Sequence, residues 1–233
     1  MKLSIVVPCY NEESNIPLIL EKFNSVINRD DIEVILVNNG STDNSEVVFT
    51  ELIPEYSFAR VYKLDVNQGY GFGITSGLSD AKGEFIGYTH ADMQTDPADV
   101  IRALEIIEKE EKPENCYVKG DRKGRPFLDQ FFTSGMSLFE TLYMGEKLWD
   151  INAQPNIFHK TFFENLNGEC PKDFSLDLYF LYKATIKNIN IIRFDVVFPP
   201  RIHGESSWNT GLASKWKFIK RTIDFSVKLK KEL

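Results

Sequence analysis

Short apolar runs alternate with segments of helical spacing through the first half of the chain. The runs "LSIVVP", "EVILVNN", "ARVYKLD" and "EFIGYT" are typical of buried strands, because they are short and mostly rich in β-branched and aromatic residues. Helical segments such as "PADVIRALEIIEKEE" separate them. This alternation predicts an α/β fold, in which helices flank a mostly parallel, doubly wound sheet.

Each predicted strand ends in a polar cluster. The clusters are "PCYNEE", "NNGSTD", "DVNQGYG" and "THADMQTD". In doubly wound sheets, ligands bind beyond the carboxyl ends of the strands. The four clusters are therefore expected to face one edge of the sheet and to form a binding site there.

Bulk properties narrow the classes of protein. The chain has 233 residues and a formal net charge of -7, which argues against a nucleic-acid partner. Its three cysteines (Cys9, Cys116 and Cys170) lack metal-binding spacing and suit a reducing compartment. No stretch approaches the roughly 18–20 apolar residues of a spanning helix, and the apolar start is too short for a signal peptide.

No linker-like segment divides the sequence. The second half begins with a short predicted strand, "NCYVKGDRKGRP", and continues with a long aromatic segment that has helical spacing. We expect one domain in three parts: a half at 1–115 that carries the polar clusters, a half at 116–211 that covers the same edge of the sheet, and a basic amphipathic helix at 212–233.

The segment "YTHADMQTDP" places potential ligands at every second position. One hypothesis is a polar loop in which Asp96 and Pro97 start a helix. The other is a metal site, because oxygen ligands from Asp92 and Gln94 suit Mg²⁺ or Mn²⁺. Alternating residues can point to one side if the strand stays extended.

Four motifs in order give a family resemblance. The chain carries "SIVVPCYNEESNI", "EVILVNNGSTDNS", "NQGYGFGITSGLSDAKGEFIGYTHADMQTDP" and "RIHGESSWN". It thereby resembles the family 2 glycosyltransferases of the GT-A fold, and within them the dolichyl-phosphate mannose synthase-like and polyprenyl-phosphate branch. The resemblance implies a metal-dependent, inverting transferase that uses a nucleoside-diphosphate sugar in cell-surface glycan synthesis. It also implies that 1–115 is the nucleotide-sugar-binding half and 116–211 the acceptor-side half.

The resemblance also implies nucleotide contacts. Asn38 and Asn39 stand where the family has paired aspartates. This difference leaves the identity of the nucleotide base undetermined, and UDP-sugars are weakly favoured over GDP-sugars. The implied nucleotide-binding residues are Pro8, Tyr10, Asn11, Glu12, Asn38, Gly69, Gly71 and Ala91.

His90 departs from the family pattern, which usually has aspartate at that position. A neutral imidazole can ligate Mn²⁺ but suits Mg²⁺ less well. His90 could instead contact a sugar or orient Asp92. The metal-site candidates are therefore Asp92, Gln94 and His90, with Asp92 also a catalytic candidate.

The acceptor remains open between a polyprenyl phosphate and a saccharide hydroxyl. Gln130 lies where a second acceptor arginine is expected, which weakens the phosphate hypothesis. A hydroxyl acceptor needs a general base, for which Asp173 and Asp177 are the candidates. The implied acceptor and diphosphate contacts are Arg122, Gln154, Arg201, His203 and Ser206.

The C-terminal segment from Ser214 to Leu233 carries seven basic and two acidic residues. A basic amphipathic helix suits an anionic membrane surface, or it docks on the core with a solvated basic face. We expect a cytoplasmic protein, peripheral at the inner membrane face. A catalytically degenerate, nucleotide-binding scaffold is the alternative; a nucleotidyltransferase is disfavoured, since "VVPCYNEE" lacks a Gly-rich basic loop.

Overall fold

The computed structural model describes residues 1–166, 170–199, 201 and 212–231. One seven-stranded sheet carries strands from both halves of the chain. The strand order is β3-β2-β1-β4-β6-β5-β7, and neighbours run parallel except at β6. The predicted α/β class and mostly parallel sheet are confirmed. The strands are β1 (Leu3–Cys9), β2 (Ile32–Asn39), β3 (Ala59–Leu64), β4 (Phe85–Tyr88), β5 (Cys116–Lys123), β6 (Asn156–His159) and β7 (Asn190–Val197).

Helices cover both faces of the sheet. The long aromatic segment and the basic C-terminal segment are both helical, as predicted. The short α6, like the antiparallel β6 that precedes it, was not predicted. The helices are α1 (Ile16–Val26), α2 (Ser45–Leu52), α3 (Tyr70–Asp80), α4 (Pro97–Glu108), α5 (Phe127–Met144), α6 (Lys160–Glu164), α7 (Leu176–Ile186) and α8 (Leu212–Lys231).

The strands bury side chains on both faces. On β1, Leu3, Ile5 and Val7 pack on the side of α1 and α4, and Val6 packs on the side of α3 and α7. Successive side chains of a strand point to opposite faces, so burial on both sides produces the continuous apolar runs seen in the sequence.

Helix α3 lies unusually close to the sheet. A Cβ atom on Gly77 would come within 2.7 Å of a Val6 methyl carbon, so glycine permits this approach. The start of α3, at Tyr70, is thereby brought to the edge where β1 and β2 end.

Helices α5 and α8 pack against each other in the second half. The Ser226 hydroxyl on α8 donates to the buried Glu140 carboxylate on α5, over 2.7 Å. Among the helices of the described ranges, none combines the length and apolar character needed to cross a bilayer.

Candidate active site

A cavity of about 930 Å³ opens at the carboxyl ends of β1, β2 and β4. The polar clusters that follow the strands contribute to it, as the parallel topology predicts. Helices α5 and α7 and the segment after β7 supply its other walls. The predicted site residues that line the cavity are Pro8, Tyr10, Glu12, Gly69, His90, Ala91, Asp92, Gln94, Arg122, Asp177 and Arg201.

Asn11 and Asn38 hold loops together rather than line the cavity. The Asn11 side-chain carbonyl accepts from the Thr42 backbone N–H over 2.8 Å, and that of Asn38 accepts from Ser41 N–H over 3.1 Å. The Asn11 bond joins the segments that follow β1 and β2, whereas the Asn38 bond closes the turn after β2. Two further candidates, His203 and Ser206, lie outside the described residues.

The two glycines of "NQGYG" permit a close approach between chain segments. A Cβ atom at Gly69 would lie 2.3 Å from the Lys172 carbonyl oxygen, and one at Gly71 would lie 2.2 Å from that of Pro171. Gly69 lines the cavity, whereas Gly71 does not. Both therefore position the segment before α7 against the start of α3.

Asn39, at the end of β2, lines the cavity and has an unpaired acceptor. Its side-chain N–H group donates to the Gly69 carbonyl over 3.0 Å, which leaves its buried Oδ1 without a partner among the described residues. A buried unpaired acceptor is costly, so a ligand N–H here would be favourable. Beside it, burial raises the pKa of Glu12, although a hydrogen bond from Asn15 opposes this.

Asp92 and Gln94 converge on one cation. The Arg201 guanidinium lies 2.7 Å from Asp92 Oδ2 and donates to Gln94 Oε1 over 3.0 Å. Both oxygens are thus within reach of a single positive group inside the cavity. Asp92 and Gln94 therefore face the same group, and the predicted sharing of a metal ion stays a prediction.

The convergence is achieved by a turn, so the extended strand expected for these residues is absent. Strand β4 ends at Tyr88, and Met93 has a φ of 59°, in the left-handed region. Gln94 N–H donates to Asp92 Oδ1 over 3.1 Å. The Asp96 side chain accepts from Ala98 N–H and caps α4. The polar-loop hypothesis therefore describes the role of Asp96, at the start of the helix.

His90 lies in the same cavity in its neutral form. Burial lowers its pKa, outweighing the opposite influence of Asp92 and Asp177. Its ring centroid is 6.5 Å from that of Tyr70. A neutral imidazole can accept a hydrogen bond or bind a metal through its unprotonated nitrogen.

Arg122 is paired within the protein. Its Nε donates to Asp150 Oδ1 and its backbone N–H to Oδ2, each over 2.9 Å, and both side chains are almost fully buried. Burial acts to raise the pKa of Asp150, but the charge and hydrogen bonds of Arg122 prevail and lower it. Arg122 lines the cavity, but the negative charge of Asp150 partly neutralises its positive charge there.

Asp177 lies in the wall of the cavity with both oxygens hydrogen-bonded. Tyr88 O–H donates to Oδ1 over 2.8 Å, and the Asn152 side chain donates to Oδ2 over 3.3 Å. Asp173, the other candidate base, accepts from Ser175 N–H at the start of α7 and does not line the cavity. Of the two candidate bases, Asp177 therefore lines the cavity and Asp173 does not.

Tyr70 and Asn152 belong to the cavity but were not predicted as site residues. The Tyr70 ring stacks on Phe174 at a centroid distance of 4.5 Å, and its hydroxyl accepts from the Gln154 side chain over 2.5 Å. Gln154 itself lies behind Tyr70 and does not line the cavity. In "NQGYG", nothing distinguishes a tyrosine that lines a cavity from one that packs in the core, so the sequence did not predict the position of Tyr70.

A buried lysine connects β5 with β6 and the loop before it. Lys119 Nζ donates to the Ala153 carbonyl and to Asn156 Oδ1, over 2.6 and 2.8 Å. Burial lowers its pKa to about 7. Since Asn156 also accepts from Tyr117 over 3.0 Å, β5 and β6 are joined by a polar layer inside the apolar core.

The donor set around Asp92 fits an open metal site. Among residues of the described ranges, no three His, Cys, Asp or Glu side chains form a metal-binding group. Asp92 and Gln94 nevertheless place two oxygens around one cation position. Mg²⁺ is commonly bound by one or two carboxylates together with phosphate oxygens and water, so two protein ligands suffice when a phosphate ligand is present.

Comparison with known families agrees with this geometry. Residues 4–163 match the family model described as glycosyl transferase family 2. The chain belongs to this family. The predicted family and its GT-A fold are confirmed.

Curated relatives match about half of the chain. The undecaprenyl-phosphate 4-deoxy-4-formamido-L-arabinose transferase of Yersinia enterocolitica is 30% identical over 112 residues, which are 46% of this chain and 34% of that protein. The dolichyl-phosphate beta-glucosyltransferase of Dictyostelium discoideum is 29% identical over 155 residues, 59% of this chain and 47% of that protein. The chain thus spans between a third and a half of these relatives.

A solved structure extends the likeness in fold to almost the whole chain. Glucosyl-3-phosphoglycerate synthase from Mycobacterium tuberculosis, solved with Mn²⁺, UDP and glucosyl-3-phosphoglycerate, superposes with a TM-score of 0.71. The match covers 97% of this chain and 78% of that protein at 16% identity. At 16% sequence identity, the likeness between the two structures shows a shared fold alone.

Proposed function

We propose that this protein is a metal-dependent, inverting glycosyltransferase that moves a sugar from a UDP-sugar to a polyprenyl phosphate. The observation that carries the proposal is the convergence of Asp92 and Gln94 on the Arg201 guanidinium, within a cavity that two further arginines, Arg122 and Arg125, line. Paired oxygen ligands suit a divalent metal, and arginines suit phosphate groups.

Asp92 and Gln94 would hold the metal, with His90 as a further ligand or as a contact to the sugar. When bound, Mg²⁺ or Mn²⁺ would stabilise the negative charge that develops on the departing diphosphate. The Mn²⁺ and UDP in the mycobacterial structure support this choice of metal and nucleotide. Asn39 Oδ1 can accept an N–H from a base, and the exposed Tyr10 ring can pack on it.

The transfer is a single displacement at the anomeric carbon. An acceptor oxygen forms a bond to that carbon, and the bond to the diphosphate oxygen breaks, so UDP leaves with the electron pair. Attack from the face opposite the leaving group inverts the configuration. Arg201 can stabilise the diphosphate, because its guanidinium presents paired donors in the cavity.

The names of the relatives favour a lipid-phosphate acceptor. An undecaprenyl-phosphate and a dolichyl-phosphate transferase are about 30% identical to this chain over roughly half of its length. A phosphate is already ionised near neutral pH and needs no general base. Arg122 and Arg125 line the cavity and can contact such a phosphate.

A saccharide hydroxyl is the second candidate acceptor. One observation favours it: Asp177 lies in the cavity wall, fixed by Tyr88 and Asn152. A positioned carboxylate of this kind can remove a proton from a hydroxyl.

A lipid acceptor places the enzyme at a membrane. We infer that it acts as a peripheral protein at the cytoplasmic face of the inner membrane. The three cysteines support a reducing compartment, because Cys9, Cys116 and Cys170 are all free thiols.

The proposed function can be tested by donor binding followed by transfer. Calorimetry with UDP and GDP, each with Mn²⁺, Mg²⁺ or chelator, should show metal-dependent binding that favours UDP. Incubation with UDP-sugars and a short, water-soluble prenyl phosphate should then give a glycosylated lipid phosphate by mass spectrometry. Nucleotide binding without transfer or donor hydrolysis would instead favour the scaffold hypothesis.

Removing Arg201 should change metal and nucleotide affinity in opposite directions. In Arg201→Ala, Asp92 and Gln94 lose a competing cation. We expect Mn²⁺ to bind the nucleotide-free variant several-fold more tightly, whereas UDP in saturating Mn²⁺ should bind about tenfold more weakly, since charge-assisted hydrogen bonds are lost. Electron paramagnetic resonance can measure free Mn²⁺ directly.

Arg102→Ala is the matched control for this experiment. Arg102 pairs with Asp99 on α4, and neither residue lines the cavity. This variant should bind Mn²⁺ and UDP as the unmodified protein does. If Arg201→Ala weakened Mn²⁺ binding, competition between Arg201 and the metal would be contradicted.

A further inference from the structure

The outer face of α5 carries a row of exposed apolar side chains. Phe131 is 66% exposed, Leu138 57% and Leu142 75%. Residues seven and four positions apart lie on one side of a helix, so the three form a single stripe, which we call the α5 stripe. An exposed apolar row of this length is unusual for a surface that faces only water.

The opposite face of α5 belongs to the cavity. Thr133, Met136 and Ser137 line it. Helix α5 therefore stands between the cavity and the α5 stripe, and a molecule that contacts the stripe lies directly beside the cavity wall.

Helix α8 continues this surface with positive charge. Lys230 Nζ lies 4.6 Å above the Tyr143 ring of α5, and Tyr143 stacks on Phe139 with centroids 5.6 Å apart. Trp216, Lys220 and Lys231 are exposed and lie along one side of α8, because they are four and eleven positions apart.

The charge of α8 contrasts with that of the whole protein. Between Leu212 and Lys231 the sequence has seven basic residues and one acidic residue, whereas the whole chain has a net charge of -7. The surface thus combines apolar side chains with local positive charge on an acidic protein. This combination matches an anionic, partly apolar partner.

We propose that the α5 stripe and the outer side of α8 dock on an anionic lipid bilayer. Apolar side chains enter the interface while lysines contact anionic headgroups. A symmetric pairing of two copies is less favourable, because the same basic side chains would meet their counterparts across the two-fold axis.

The benefit of such docking rests on the proposed function, in which the acceptor is a lipid phosphate. With α5 on the bilayer, the phosphate of a polyprenyl lipid needs to cross only the width of one helix to reach the cavity, which Phe132 of α5 and Ile219 of α8 also line. The lipid tail can stay in the membrane throughout the reaction.

Vesicle binding tests the surface separately from catalysis. The full chain is sedimented with vesicles of phosphatidylcholine alone or with phosphatidylglycerol added. We expect binding to the anionic vesicles, weakened by high salt. Leu142→Glu should weaken it about tenfold or more, because one leucine is lost from the apolar interface and a charge is introduced. The double variant Lys220→Glu with Lys231→Glu should weaken it at least as much.

Val47→Glu is the matched control, since Val47 is 54% exposed on α2, away from α5 and α8. It should bind vesicles normally. Transfer to a short, water-soluble prenyl phosphate should be unchanged in Leu142→Glu, so a failed docking surface is distinguishable from a failed proposed function.

The proposal is overturned if Leu142→Glu sediments as the unmodified protein does, or if anionic and neutral vesicles bind equally. It is also overturned if light scattering shows a dimer that Leu142→Glu dissociates while vesicles do not bind. In that case a second copy covers the stripe.

Discussion

Asp92→Asn is expected to lower kcat/KM for sugar transfer by about 10²–10³-fold, the usual cost of losing one preorganised group that stabilises developing charge. The substitution keeps the size of the side chain but removes its charge. It therefore weakens both the interaction with Arg201 and the proposed contact with a metal. Steady-state transfer rates at saturating Mn²⁺ and UDP-sugar measure the loss.

Asp96→Asn provides the control for this prediction. Asp96 lies in the same loop, but it caps α4 and does not line the cavity. Asparagine is also a good helix cap, so stability and transfer should change little. If Asp92→Asn kept full activity with an unchanged dependence on metal, Asp92 would have no part in the reaction and the proposed function would lose its main support.

The fold of the first half could be predicted because its strands are buried on both faces. Burial of β1 and β2 on two sides produces apolar runs, and flanking helices produce a different spacing. Strand β6 gave no such signal, since it has only four residues and directly follows Pro155. Its antiparallel pairing with β4 and β5 depends on contacts distant in sequence.

The candidate site could be predicted in outline but not in geometry. The positions of Asp92 and Gln94 near each other followed from the motif, but the turn at Met93 that aims both at one cation did not. A left-handed residue other than glycine is uncommon and leaves little trace in a sequence.

The pairing of Arg122 was also invisible in the sequence. Its partner Asp150 is 28 residues away and meets it only because β5 and the loop before β6 come together. The pairing changes the experiment that separates the two acceptor classes. Replacing Arg122 alone would leave a buried unpaired carboxylate, which destabilises a protein by about 3–5 kcal/mol.

The last prediction therefore removes both charges together. For a lipid-phosphate acceptor, the double variant Arg122→Gln with Asp150→Asn should lower transfer to a prenyl phosphate about tenfold or more, because a guanidinium contact to phosphate is lost. Asp177→Asn should lower it less than tenfold, since an ionised phosphate needs no base. Each rate is measured with the same UDP-sugar and metal.

A hydroxyl acceptor would need a general base, so it should depend on Asp177 more than on Arg122. Loss of a general base commonly costs about 10²–10⁴-fold, so Asp177→Asn would then be the damaging change. Asp173→Asn is the control, because Asp173 accepts from Ser175 N–H just before α7 and does not line the cavity. Thermal unfolding of every variant separates a lost reaction from a lost fold. A large loss in Asp177→Asn with a retained fold would contradict the phosphate acceptor and assign Asp177 as the base, since Tyr88 and Asn152 already hold that carboxylate in the cavity wall.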